Sequence, residues 1–179
     1  MDPGLPYVCA SGRVWQTIST LSEVLMLFRA ARNTIAALIV LTTGVFASAQ
    51  YRILFSPTAN AHAEIARAIR TATREHKRII LDFGGNWCAD CQVLYIYMHQ
   101  PPNDEIAAKH FIVVHVDVGR YDKNLDLARK YNIPLKLGVP ALAVLNSRGR
   151  LLYSQKHGEF ERMSIVDPGS ITEFLEKWK

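Results

Sequence analysis

The sequence contains no run of five or more basic residues, although its formal net charge is +5. Proteins that bind nucleic acids usually concentrate positive charge on one stripe and interleave it with aromatic residues. Neither pattern is present, so nucleic acid is not an expected partner. The charge instead indicates a mildly basic surface.

Internal repeats and low-complexity linkers are also absent from the sequence. Its 179 residues are 49% hydrophobic and 21% charged, a composition that is typical of globular proteins and not of disordered tails. A chain of this length is sufficient for one domain of ordinary size and a short appendage.

The apolar stretch near the N-terminus is shorter than the roughly 20 residues that a helix needs to span a bilayer. This stretch, residues 35–46, follows two arginines and precedes three small residues at 47–49. Such an order is typical of a secretory signal peptide. We therefore predict a signal peptide at residues 26–49 and a periplasmic or otherwise exported domain at 50–179. The protein would contact the membrane only through the leader, if the leader stays uncleaved.

Signal peptides begin with a basic segment, yet 25 residues precede Met26 in this sequence. We therefore expect translation to start at Met26, and we treat residues 1–25, with Cys9, as a doubtful N-terminal extension. In that case Cys88 and Cys91 are the cysteines of the mature chain, in a compartment where disulfides persist.

Apolar patterning after the leader predicts an α/β domain. A helix should begin at Asn60, whose side chain can cap it. "RIILDFGG" and "FIVVHVDV" are continuous apolar runs, typical of strands buried on both faces of a parallel sheet. "PALAVLNSRGRLLYSQ" predicts an antiparallel hairpin, and a final helix follows it. The predicted order is therefore helix, strand, helix, strand, helix, strand, strand, helix, with crossovers in the first part.

The cysteine pair in "LDFGGNWCADCQ" has three candidate roles. As a structural disulfide it would close a loop of about four residues and contribute only about 2 kcal/mol. Structural zinc usually needs four ligands, and the histidines nearest to a suitable spacing, His110 and His115, lie at a predicted helix end and in a predicted buried strand. Copper(I) can bind two thiolates alone, so copper(I) handling for oxidase maturation stays an alternative.

A redox-active dithiol is the role that the surrounding residues favour. Cys88 follows Gly84 and Gly85 at the predicted junction of strand and helix, where free amide groups and the helix dipole stabilise a thiolate. Cys91 lies in the first helical turn, near enough to form a disulfide with Cys88. Asp82 stands in the middle of the preceding apolar strand, and a desolvated carboxylate there suits proton transfer near neutral pH.

From about residue 60 to the C-terminus the sequence resembles the thioredoxin family. "DFGGNWCADC" is similar to the strand, the tryptophan and the Cys-x-x-Cys active site of that family, and Asp82 matches its buried acid. "LGVPALAVLNSRGRLLY" is similar to the loop that carries a cis-proline, here Pro140, before the hairpin. The resemblance implies a thioredoxin-like α/β fold with a central mixed sheet of about four to five strands. Helices would cover both faces, and a C-terminal β-hairpin plus helix would complete the domain.

The resemblance also implies a role for each matching residue. Cys88 would be the attacking thiolate, Cys91 would resolve the mixed disulfide, and Asp82 would move the proton. The residues expected to bind the substrate protein are Trp87, Val139 and Pro140.

The match is nearer to exported bacterial thioredoxin-like proteins than to cytosolic thioredoxin. The dipeptide between the cysteines is Ala89-Asp90 and not Gly-Pro, and Ile96 stands where thioredoxin has a proline. The negative charge of Asp90 beside the helix start disfavours an extreme thiolate, so we expect a reductant of other exported proteins' disulfides.

The expected partners are substrate proteins with cysteines or disulfides and an upstream dithiol electron donor. No small-molecule cofactor is expected, because the disulfide itself carries the two electrons. An interaction module with vestigial cysteines is the remaining alternative.

Overall fold

The computed structural model describes residues 52–179. The predicted signal peptide, the doubtful extension and Cys9 lie outside these residues. The strands are β1 (Arg78–Gly84), β2 (Phe111–Asp117), β3 (Ala141–Leu145) and β4 (Leu151–Ser154). They form one sheet in the order β2-β1-β3-β4. β1 pairs in parallel with β2 and antiparallel with β3, and β3 pairs antiparallel with β4. The mixed sheet and the C-terminal hairpin confirm the predicted fold class.

Five α-helices accompany the sheet in this part of the chain. The first begins as predicted, because the Asn60 side chain accepts a hydrogen bond from the Ala63 N–H at 3.0 Å. No helix within residues 52–179 has the length and apolar character needed to cross a membrane. The helices are α1 (Ala61–Glu75), α2 (Ala89–Met98), α3 (Asn103–His110), α4 (Leu125–Lys130) and α5 (Gly169–Trp178).

Two apolar layers cover the sheet, one on each face. Successive side chains of a strand point to opposite faces, so β1 contributes to both layers. Leu81 and Phe83 pack in the layer that includes Ile65 of α1. Ile80 packs in the other layer, with Leu94 of α2 and with α5. The continuous apolar run of β1 is explained by this burial on both faces.

Three loops meet at the carboxyl end of β1. Because β1 and β2 are parallel, the loops that follow them leave from the same end, and the Val118 N–H donates to the Gly84 carbonyl at 2.9 Å. β3 is antiparallel and begins at this end, where Ala141 pairs with Phe83. The Cys-x-x-Cys segment and the Val139–Pro140 segment therefore lie at one edge of the sheet.

Candidate active site

Cys88 is the N-cap residue of α2, and it forms a disulfide with Cys91 in the first turn. The two Cα atoms are 5.3 Å apart. The Cys91 N–H donates a hydrogen bond to Cys88 Sγ at 3.0 Å. An amide donor and the positive end of the helix dipole both stabilise negative charge on a sulfur at this position. The structure therefore places Cys88 at the helix start that the sequence predicted.

The two cysteines are both buried but differ slightly in their exposure to solvent. Cys88 exposes 5% of its surface and Cys91 exposes none. Cys91 Sγ packs against Gly84, where an added Cβ would lie 2.8 Å from that sulfur and 2.5 Å from Cζ of the buried Phe55. Gly84 is thus required for the close approach of the sulfur to the strand. An incoming sulfur can reach Cys88 first, because Cys91 is covered.

The Val139–Pro140 segment lies directly beside Cys88. The Val139 carbonyl oxygen is 3.4 Å from Cys88 Sγ, and the peptide bond between Val139 and Pro140 is cis. β3 begins immediately after Pro140, so the position of this segment is set by strand pairing within the sheet.

Trp87 lies on the surface next to the disulfide, with 39% of its area exposed. Its indole N–H donates to the Gly119 carbonyl at 2.6 Å. Its ring lies 5.5 Å from the Tyr121 ring, and the Arg120 guanidinium lies 5.4 Å from the ring centre. The loop after β2 therefore holds Trp87 in an aromatic and cationic surface beside Cys88.

Asp82 is buried inside the sheet, with a relative exposure of 2%. Its Oδ2 is 2.8 Å from Nδ1 of His115, the residue paired with it on β2. Its Oδ1 is buried and has no hydrogen-bond partner among the described residues. Sequence reasoning considered His115 only as a zinc ligand and missed this pair. Alignment of the two apolar strands in parallel register was the signal that could have revealed it.

The Asp82–His115 pair changes the proton affinity of the imidazole. Burial of His115 opposes its protonation, but the hydrogen bond and charge of Asp82, with the charge of Glu64, outweigh burial and raise the pKa of His115 above its ordinary value. The protonated imidazole is thus stabilised beside the carboxylate.

Asn86 connects the active-site loop to the segment before α1, a role that sequence reasoning also missed. Its Oδ1 accepts hydrogen bonds from the Leu54 N–H at 2.9 Å and the Phe55 N–H at 3.0 Å. Its Nδ2 donates to the Phe55 carbonyl at 2.7 Å. These three bonds hold the Phe55 ring against Gly84 and the buried sulfur of Cys91. No local sequence pattern indicates a contact across this separation.

Asp90 is in the first turn of α2, and its side chain has a specific partner. Asp90 Oδ1 accepts a hydrogen bond from the Ser164 N–H at 2.8 Å. Ser164 belongs to the short 3-10 helix Met163–Ile165, whose Met163 is fully buried in the layer that contains Leu94. The acid between the cysteines thereby ties the start of α2 to the loop before α5.

Within residues 52–179 no group of three or more histidine, cysteine, aspartate or glutamate side chains is assembled for a metal ion. A four-ligand zinc site of the kind considered from the sequence is therefore not formed by this part of the chain.

A family model described as thioredoxin-like matches residues 60–147, which contain both cysteines and the Val139–Pro140 segment. The chain is similar to a disulphide isomerase from Xylella fastidiosa Temecula1, whose crystal structure is known. The two sequences are 35% identical, and the two structures align with a TM-score of 0.67. That similarity covers 72% of this chain and 98% of the Xylella chain. The chain belongs to the thioredoxin-like family.

A second structure supports the thioredoxin-like fold alone. The C-terminal domain of DsbD from Neisseria meningitidis, in its oxidised form, is 21% identical over 68% of this chain and 97% of that chain, with a TM-score of 0.50. No curated protein matches the sequence. Family membership and the Cys88–Cys91 disulfide together make this thioredoxin-like domain a thiol–disulfide oxidoreductase.

The Asp82–His115 pair predicts a pH-dependent contribution to folding stability. The folded-state pKa of His115 lies above its ordinary value of 6.5. The stabilisation of the folded state by the Asp82–His115 pair is therefore fully present below pH 6.5 and is lost as the pH rises through the folded-state pKa of His115. We expect the difference in free energy of unfolding between the wild type and His115→Gln to shrink as the pH rises from about 6 to about 9, by less than about 1 kcal/mol.

Urea unfolding of the oxidised proteins measures this difference. His62→Gln is a matched control, because His62 forms an ion pair with Asp126 in which the side chains are 60% and 55% exposed. Its removal should leave the pH dependence that is assigned to His115 intact. A stability difference between wild type and His115→Gln that stays constant over this range would contradict the assignment.

Proposed function

We propose that this protein is an exported oxidoreductase that uses Cys88 and Cys91 to reduce or rearrange disulfides in other exported proteins. The observation that carries the proposal is the position of Cys88. Its sulfur accepts an amide hydrogen bond at the start of α2 and lies beside the backbone of Val139, and Cys88 is the more exposed cysteine of the pair, although only 5% of its surface is exposed. These features suit a nucleophilic thiolate.

The reaction begins with the reduced protein. The Cys88 thiolate attacks one sulfur of a substrate disulfide, which forms a mixed disulfide and releases the other substrate sulfur as a thiolate. Cys91 then loses its proton towards Asp82 and attacks Cys88 Sγ. That attack forms the Cys88–Cys91 disulfide and releases the second substrate thiolate. An upstream dithiol donor supplies the two electrons that restore the reduced state.

The Val139–Pro140 segment gives this reaction a docking site. An extended substrate strand can pair with the backbone at Val139, as in strand addition to a sheet edge. Because the Val139 carbonyl is 3.4 Å from Cys88 Sγ, a strand paired there presents its own sulfur to Cys88. The exposed Trp87 extends the docking surface on the other side of the disulfide.

The charge of Asp90 supports the reducing direction. It lies two residues after Cys88 and opposes negative charge on that sulfur, although its hydrogen bond from Ser164 weakens the effect. A less stabilised thiolate makes the reduced form a better electron donor. The similarity to a protein described as a disulphide isomerase supports rearrangement as a second activity. Isomerisation begins with the same attack by a reduced Cys88.

The two cysteines should have different roles in turnover. Cys88→Ser should abolish insulin reduction, because it removes the nucleophile. Cys91→Ser should stop turnover but accumulate a mixed disulfide at Cys88, because the resolving thiol is gone. Non-reducing electrophoresis and mass spectrometry identify the adduct. Wild-type turnover by either variant would contradict the proposal.

The reduction potential of the cysteine pair measures the direction of electron flow. The reduction potential should lie well below the roughly −120 mV of the strong oxidant DsbA. Asp90→Asn should raise it, because removal of the charge stabilises the Cys88 thiolate of the reduced form. Equilibration with glutathione measures both values, and Glu105→Gln, in the first turn of α3, is the matched surface-charge control. A wild-type potential near that of DsbA would reverse the proposed direction.

Export is the third part of the proposal and is supported by the leader pattern at residues 26–49. The mature protein should be recovered from the exported fraction of a bacterial host and should begin at Gln50. N-terminal sequencing of that fraction tests both points. Recovery of the unprocessed chain from the cytoplasm alone would contradict export.

A further inference from the structure

The proton of Cys91 has no direct route to solvent, because Cys91 is fully buried. Asp82 and Gly84 project to the same face of β1, since side chains alternate along a strand. Gly84 contacts Cys91 Sγ, and the Cα atom of Asp82 lies one pleat repeat, about 7 Å, back along the same face. A chain of hydrogen-bonded waters can carry a proton over such a separation. Asp82 is itself almost fully buried, so the proton must leave it through a further group.

His115 is placed to be that group. Its Nδ1 is 2.8 Å from Asp82 Oδ2, and its side chain is 27% exposed, against 3% for that of Asp82. It also lines a cavity of about 430 Å³ together with Glu64 and Arg67. The pair therefore has one buried end, at the free Oδ1 of Asp82, and one end that reaches water.

We propose that His115 carries the proton between Asp82 and solvent, so that the rate at which Cys91 resolves the mixed disulfide depends on the charge of the imidazole. This inference rests on the proposed function. His115 acts through Asp82 and is a positioning residue for the proton, because it does not touch the reacting sulfurs.

The proton balance is simple. Deprotonation of the Cys91 thiol gives a thiolate and transfers one proton to the Asp82 carboxylate. If His115 is neutral, this proton passes on to the imidazole and then to water. If His115 is already protonated, the imidazolium first loses its own proton to water and then accepts the one on Asp82. In both cases one proton reaches solvent for each disulfide formed, and no additional oxidant is needed.

The charge of the imidazole determines how well Asp82 accepts the proton. A neighbouring cation stabilises a carboxylate and lowers its proton affinity, whereas a neutral imidazole leaves that affinity higher. The resolving step should therefore accelerate as the pH rises through the pKa of His115, which lies above 6.5.

Among the described residues, Arg67 of α1 lines the same cavity as His115 and brings a positive charge, and an arginine side chain stays charged over the whole tested pH range. Asp82 faces His115 from β1, and Glu64 of α1 adds negative charge. From α2 the titratable neighbour is Tyr95, whose ring centre lies 6.4 Å from that of His115. His99 stacks on the Tyr95 ring, with the two ring centres 3.9 Å apart. Phe55, 5.4 Å away, is apolar. Of these groups, Asp82 is the one that is hydrogen-bonded to His115.

The test compares the wild type with His115→Lys and His115→Gln by quenched-flow mass spectrometry. Each reduced protein is mixed with glutathione disulfide, and conversion of the mixed disulfide to the Cys88–Cys91 disulfide is followed from about pH 6 to about pH 9. Lysine keeps a cation beside Asp82 over this range. We expect His115→Lys to resolve the mixed disulfide at the wild-type rate near pH 6 and about tenfold more slowly than the wild type near pH 9. A tenfold change is a modest part of the usual effect of acid–base catalysis.

His115→Gln should likewise lack the wild-type acceleration with pH, and His115→Lys carries the test if the uncharged variant does not fold. His62→Gln, whose histidine is also paired with an aspartate, should have the wild-type profile. Superimposable profiles for the wild type and the folded His115 variants would overturn the inference. In a Cys91→Ser background the rate of attack by Cys88 should be unaffected by His115. If that attack does not occur at all, the proposed function fails, and the inference fails with it.

Discussion

β1 is hydrogen-bonded to a neighbouring strand on each edge and packed against an apolar layer on each face. The position of this strand determines where the residues of the active site lie. Its carboxyl end carries Asp82 and Gly84 and leads directly to Cys88 at the start of α2. A strand that is hydrogen-bonded on both edges and packed on both faces has little freedom to shift, since a one-residue change of register would disrupt the packing of both apolar layers. The distances between the acid, the sulfurs and the neighbouring loops are therefore set by the core of the domain.

Local patterns were sufficient to predict the elements that carry the chemistry. The apolar run of β1, the two glycines after it and the cysteine spacing are all contained in one short segment, and the structure confirms the helix start that they indicate. The Asp82–His115 pair could not be found in the same way, because it depends on the register of two strands whose paired residues are 33 positions apart. The bonds from Asn86 to residues 54 and 55 span a similar separation. Such contacts are determined by tertiary packing, which no single segment encodes.

Asp90 shows how one side chain can have a structural and an electrostatic effect at once. In the first turn of α2 its negative charge is favourable for the helix dipole, yet the same charge is unfavourable for a thiolate on Cys88. The hydrogen bond that Asp90 accepts from the Ser164 N–H connects the start of α2 to the loop before α5. This loop had no interpretation from sequence, and its buried Met163 now explains why an irregular segment stays packed beside the active-site helix.

The bonds between Asn86 and the segment that precedes α1 have a consequence for the limits of the domain. Phe55 is fully buried and packs in the same apolar cluster as Cys91, against Gly84, although it lies ahead of the first regular element. A chain shortened to begin at α1 would retain every described helix and strand but would lose the packing of Phe55 beside Gly84 and Cys91 and the three hydrogen bonds of the Asn86 amide. The smallest unit that keeps the packing around the inner sulfur is therefore longer than the secondary structure suggests, and it includes residues 54 and 55.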